Sequence, residues 1–199
     1  MKTIAQELEE IIRRESRDGS VYIKDFRTHF GHRSLIFIIA VLALPIALPF
    51  TPPGINTLFA IICLILIVNW MLNKQDFKLP NWIESKKIPF SPDGKFFEAM
   101  KKLLSWVEVV IKPRNPGLID SKVSKIILGL GLLSSATVML IPLPIINSVS
   151  SLVVLLISVA ILSKDGKIAI ASAIAGICLL LLSVGIVSYG VWLGQSYFK

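Results

Sequence analysis

Five apolar stretches, Ser34 to Phe50, Ile55 to Leu72, Val123 to Ile141, Ile145 to Leu162 and Ile168 to Gly194, hold one charge among them, Lys125. That single fact removes most soluble folds. A soluble chain of 199 residues needs polar faces on its elements, whereas this one is 54% hydrophobic with a mean hydropathy of +0.73. The chain reads as an all-α integral membrane protein. Seventeen helical residues rise roughly 25 Å, short of the ~30 Å hydrocarbon core, so only the last stretch is ample for one crossing. Each of the two preceding pairs either crosses twice in a thinned or tilted arrangement, or dips in and turns as a re-entrant hairpin whose backbone must be shielded by protein or water.

Both pairs are split by proline. The first break is Pro49-Phe50-Thr51-Pro52-Pro53-Gly54-Ile55-Asn56 and the second Pro142-Leu143-Pro144-Ile145-Ile146-Asn147, each followed by a small hydroxyl residue, Thr57 or Ser148. Each hairpin is preceded by an amphipathic helix. The first, residues 3–17, opens on a Thr3 to Gln6 capping box and lines up Ile4, Leu8, Ile11 and Ile12. The second, residues 92–112, begins at Ser91-Pro92 and lines up Phe96, Met100, Leu103, Leu104 and Val107. A shift of 92 positions carries the first apolar face onto the second, and a shift of 91 carries Asn56 onto Asn147. The chain therefore reads as two parallel repeats and a final helix. Repeat 1 is 1–92 with its hairpin at 34–72, repeat 2 is 93–162 with its hairpin at 123–162, and the C-terminal transmembrane helix is 168–194.

Twenty of the 21 Lys and Arg lie before Ser34, between Leu72 and Lys125, or at Lys164 and Lys167; the hairpin tips carry none. By the positive-inside rule the hairpin mouths and the N-terminus face the cytoplasm and the C-terminus lies outside. The net charge of +8 is thus a membrane-topology signal, with no nucleic acid implied. Lys125 is expected to snorkel, and Tyr189, Trp192 and Tyr197 to anchor the outer interface. No apolar leader precedes the first helix. Cys63 and Cys178, without ligand-spaced neighbours, read as small core residues. His29 and His32 lack a third ligand and read as surface residues, so no metal or other cofactor is expected. Ala169, Ser172, Ala173 and Gly176 form a small-residue face for close helix approach, from which, together with the small number of spans, a homodimer is inferred.

Gly31-His32-Arg33-Ser34, Ala43-Leu44-Pro45, Lys78-Leu79-Pro80, Lys112-Pro113-Arg114, Pro142-Leu143-Pro144 with Asn147, and Lys164-Asp165-Gly166 follow one another in a chain segment of roughly Ile11 to Ala175. In this order and spacing the motifs resemble the ExoD family of bacterial exopolysaccharide-synthesis proteins. Lys78 stands where the family usually has tryptophan, and Asn69 and Asn73 where it often has glutamine and glycine. The resemblance implies a bacterial inner-membrane protein affecting exopolysaccharide production or export; membrane lipids, and for an accessory role polysaccharide-assembly proteins, are the expected partners. It implies no molecular activity.

Five residues are candidates for binding a substrate or ion. Asn56 and Asn147, beside the breaks, either offer an amide to a permeating solute or cap the helices that follow. Arg33, Arg114 and Asp165 fall at the hairpin mouths, where Asp165 can pair with either arginine and line an entrance, or the cations can simply snorkel. The amphipathic helices either bind anionic lipid or pack under the hairpins. No Gly-rich phosphate loop, carboxylate pair or nucleophile elbow is present, so no catalytic residue is assigned. The expected function is non-catalytic support of exopolysaccharide synthesis or export; the alternative is a transporter or channel for a small ion or polar solute.

Overall fold

The structure, a computed structural model, describes residues 4, 6, 8–10, 21–22, 34–48, 55–72, 87–88, 95–141 and 144–197. Helices dominate: α1 Ser34–Ala47, α2 Ile55–Met71, α3 Lys95–Val110, α4 Gly117–Asp120, α5 Lys122–Val138, α6 Pro144–Leu162 and α7 Gly166–Tyr197. Residues 4, 6 and 8–10 are helical too. The remaining regular structure is a two-residue antiparallel ladder, β1 Val21–Tyr22 on β2 Lys87–Ile88, with Val21 opposite Ile88.

Four helices close a ring. α1 packs on α2 and α6, and α5 on α2 and α6, with the α1–α6 contact the most extensive. Direction follows from side-chain contacts. Near the end of α2, Met71 lies where a Cβ on Gly129 of α5 would fall, and the Lys125 ammonium stands 5.3 Å from the Trp70 ring centroid. At the other end, the Ser151 hydroxyl of α6 donates to the Ala43 carbonyl of α1. The end of α1 and the start of α6 therefore share one end of the ring, and the end of α2 and the start of α5 share the other.

α1 is unusual because it has no exposed face: every residue from Ile36 to Ile46 is buried. A helix apolar all round belongs in an interior or in lipid, and α1 takes the interior. Pro45 lies near its end, where the missing N–H deprives the Val41 carbonyl of its intrahelical donor and helps stop the helix at Ala47.

α7 packs on α5 and α6. A Cβ on Gly131 would lie 2.5 Å from Ala173 Cα, and one on Gly176 would overlap the Ser135 hydroxyl and approach the Gly131 carbonyl oxygen. The small-residue face of α7, Ala169, Ala173 and Gly176, is thus used within the chain, which removes one of the two grounds on which a homodimer was inferred. Beyond the ring α7 stands alone. Every residue from Val184 to Trp192 is exposed, and Gly185, Gly190 and Gly194 have open space around them.

α3 is amphipathic as expected and ends at Val110, two residues before the expected 112; residues 92–94 lie outside the described residues. Its buried stripe is Phe97, Met100, Leu104 and Val107, continued by Ile111 beyond the helix, with Leu103 partly buried beside it; the side chain of Phe96 lies outside the described residues. Leu8 joins the same core, and Ile4 packs against it. The rest of the predicted first helix, including Ile11 and Ile12, lies outside the described residues. α4, one turn between α3 and α5, has no counterpart in the sequence reading. Cys63 is buried as expected, whereas Cys178 is exposed, because it falls on the face of α7 turned away from α5 and α6.

Candidate functional site

Asn56 is the second residue of α2 and Asn147 the fourth of α6. A helix N-cap stands one residue before the first turn, so neither is placed to cap, and neither Oδ1 accepts a hydrogen bond. The capping alternative is overturned. Both oxygens are nevertheless buried, as is the hydroxyl of Ser158, and these three make no hydrogen bond among the described residues. A buried amide or hydroxyl without a partner costs on the order of 1–3 kcal/mol, so three in one small bundle is a chemical signature.

Asn147 and Ser158 share one face of α6. At ~100° per residue, positions 147, 151, 154 and 158 fall in a narrow stripe, and the Ser151 bond to Ala43 turns that stripe toward α1. Asn147 is 3% exposed and Ser151, Val154 and Ser158 are 0% exposed. Ser150, on the flank, donates back to the Ile146 carbonyl at 2.8 Å. The sequence reading found Asn147 and missed Ser151 and Ser158; the signal was there as hydroxyls four and eleven residues after Asn147 in an otherwise apolar run.

At the mouth the structure brings Asp165 and Arg114 together, though not as an ion pair. Their main chains form a bridge, and the Gly166 N–H donates to the Arg114 carbonyl at 2.8 Å. The buried Asp165 carboxylate accepts from the Lys112 N–H at 3.0 Å through Oδ2 and from the Ile168 N–H at 3.2 Å through Oδ1. It therefore caps α7 and ties the linker after α3 to the turn after α6, a structural duty. The expected pairing of Asp165 with the Arg114 side chain is corrected on this point: both carboxylate oxygens accept from backbone donors, and Arg114 is exposed. Arg33, His29 and His32 lie outside the described residues. Asn69 is buried and donates to the Ile65 carbonyl at 2.6 Å.

Outside the ring, the exposed side of α3 carries an open groove of about 420 Å³ lined by Glu98, Ala99, Lys101, Lys102, Ser105 and Trp106. Lys101 pairs with Glu9 at 2.7 Å, and Trp106, Val109 and Val110 beside it are largely exposed. Among the described residues no three His, Cys, Asp or Glu side chains gather as a metal site would require.

The family described as "Exopolysaccharide synthesis, ExoD" matches residues 4–185. The chain belongs to the ExoD family. Among curated relatives, this ExoD-family chain is 26% identical over 187 residues to an uncharacterized protein of Synechocystis sp., covering 94% of this chain and 88% of that one. It is 23% identical over 156 residues to Protein ExoD of Rhizobium meliloti, covering 75% of this chain and 63% of that protein. No solved structure matches it.

Proposed function

We propose that this ExoD-family protein is embedded in the bacterial inner membrane and supports exopolysaccharide synthesis or export without a catalytic step of its own. The observation that carries the membrane placement is α7. Residues 166–196 are long and apolar enough to cross a bilayer, yet only 22% of that window is buried in the protein, against 50% for Ile145–Leu162. Leu181, Leu182, Val184, Ile186, Val187 and Val191 are exposed around the helix, which is sustainable in lipid and not in water.

α7 also serves as a ruler. Ser135 of α5 is level with Gly176, so the end of α5 three residues later is level with Leu179. The stacked pair Tyr189 and Trp192, 6.0 Å between ring centroids, is suited to the outer interface and begins ten residues further on. At ~1.5 Å per residue the end of α5 stops roughly 15 Å short of it. That supports re-entrant hairpins entering from the cytoplasmic side, with α1 enclosed by protein as such backbone requires. The ring supports duplication: each hairpin's first arm packs on the other's second arm, so exchanging the hairpins preserves the contact pattern.

The test is impermeant-thiol labelling of Thr57→Cys and Ser148→Cys in a Cys63→Ala, Cys178→Ala background, with Gly194→Cys as the outer marker. Re-entrant hairpins predict labelling of Gly194→Cys from outside and none of the two tip positions from that side. Tip labelling from outside alone would show full crossings, and quantitative release of the protein by alkaline carbonate would remove the membrane reading altogether.

A second reading, transport of a small polar solute, is favoured by the buried, unpartnered oxygens of Asn56 and Asn147, with Arg114 toward the mouth. It predicts solute flux in proteoliposomes that Asn56→Ala with Asn147→Ala abolishes.

A further inference from the structure

We infer that the seam between α1 and α6 is a hydrated binding site for small neutral hydroxyl donors, held by Asn147 Oδ1 and Ser158 Oγ with Ser151 between them. The eleven residues from Asn147 to Ser158 span ~16 Å of helix. Over that length α6 turns an amide, two hydroxyls and one valine toward α1. The Ser151 hydroxyl is committed to the Ala43 carbonyl, while the two oxygens flanking it accept nothing. Natural interiors satisfy such groups, most often with a bound water making two to four hydrogen bonds.

The chemistry of the seam selects its ligand. Asn147 Oδ1 is an acceptor only, and Ser158 both accepts and donates, so the matching ligand brings O–H groups. A cation would meet the same oxygens, but burying one without a counter-charge costs several kcal/mol. The buried carboxylate nearest in sequence, Asp165, is already committed to two backbone N–H groups. Lys112, Arg114, Lys122, Lys164 and Lys167 near the mouth further disfavour cations. An anion would face acceptor oxygens and is unsuited for that reason. Water and small polyols share the required chemistry.

The inference rests on the membrane reading only for its setting, and its test separates the two. Full-length protein in nanodiscs is subjected to hydroxyl-radical footprinting, which oxidises side chains beside bound water even where bulk solvent cannot reach. The expected result is oxidation of Val154, which is 0% exposed, falling at least several-fold in Asn147→Leu with Ser158→Val. Glycerol-driven reswelling of proteoliposomes tells polyol from water: uptake above empty vesicles that the double variant loses means polyols enter the seam, and uptake equal to empty vesicles with Val154 still oxidised means water alone does. Should the double variant fail to fold, Ser158→Ala replaces it, because that hydroxyl makes no hydrogen bond among the described residues. A hydrated seam predicts lower thermal stability and reduced Val154 oxidation for Ser158→Ala. An unoxidised Val154, or a Ser158→Ala protein more stable than wild type, means the seam is dry and overturns the inference. Neither result bears on carbonate extraction or tip labelling.

Discussion

Gly131→Ala adds one methyl group where α5 crosses α7, and the structure fixes what it would meet. Its Cβ would stand 2.5 Å from Ala173 Cα, 2.6 Å from Ala173 Cβ and 2.8 Å from the Ala173 carbonyl oxygen. Backbone atoms cannot rotate away, and carbon contacts settle near 3.5–4.0 Å, so the helices must part by about 1 Å. Such overpacking typically costs about 1–3 kcal/mol. Alanine's better helix propensity returns up to about 1 kcal/mol, leaving a net loss of roughly 1–2 kcal/mol. For a chain of this size that corresponds to a fall in Tm on the order of 2–8 °C. Cys63 provides the assay, since its thiol is buried and reacts with a fluorogenic maleimide only on unfolding; a Cys178→Ala background removes the exposed thiol. Gly185→Ala and Gly190→Ala are the controls. Nothing lies within 4 Å of either added Cβ, so each should gain roughly 0.4–1 kcal/mol by the same propensity term. A Gly131→Ala protein as stable as those controls would refute the close α5–α7 crossing.

Asp165→Ala should destabilise by about 2–4 kcal/mol in the same assay, because it strips the α7 cap and leaves the Lys112 and Ile168 N–H groups without their acceptor; Asp165→Asn, which keeps an acceptor oxygen, should lose less. Lys101→Ala removes a partly exposed ion pair with Glu9 and should change Tm by the equivalent of less than about 1 kcal/mol. Trp70→Leu, which deprives Lys125 of its aromatic face, should cost on the order of 0.5–1 kcal/mol and blue-shift the remaining tryptophan emission only slightly.

Much of the fold is legible because proline and charge punctuate this chain so sharply. The breaks at Pro49 to Pro53 and at Pro142 to Pro144 fix where the hairpin arms end, and α1, α2, α5 and α6 lie within a few residues of the expected bounds. The candidate site was only half legible. Asn56 and Asn147 stand out as lone amides beside prolines, but whether such a side chain caps a helix depends on where the first turn begins. That point shifts by one to three residues with tertiary packing. Asp165 misled for a related reason: an acidic residue among lysines suggests ion pairing, and only the approach of residues 112–114 shows that backbone N–H groups reach its carboxylate first.

By itself the sequence determined the helical class, the two broken hairpins, the long last helix and the cationic end, since each follows from local chemistry: apolar run length, proline's missing N–H and the cost of burying charge. Tertiary structure alone decided which faces meet. The small face of α7 reads equally well as a surface for another chain or for α5, and only the Gly131–Ala173 crossing chooses. Likewise Ser151 and Ser158 are ordinary hydroxyls in an apolar run until α1, buried on every side, closes over them.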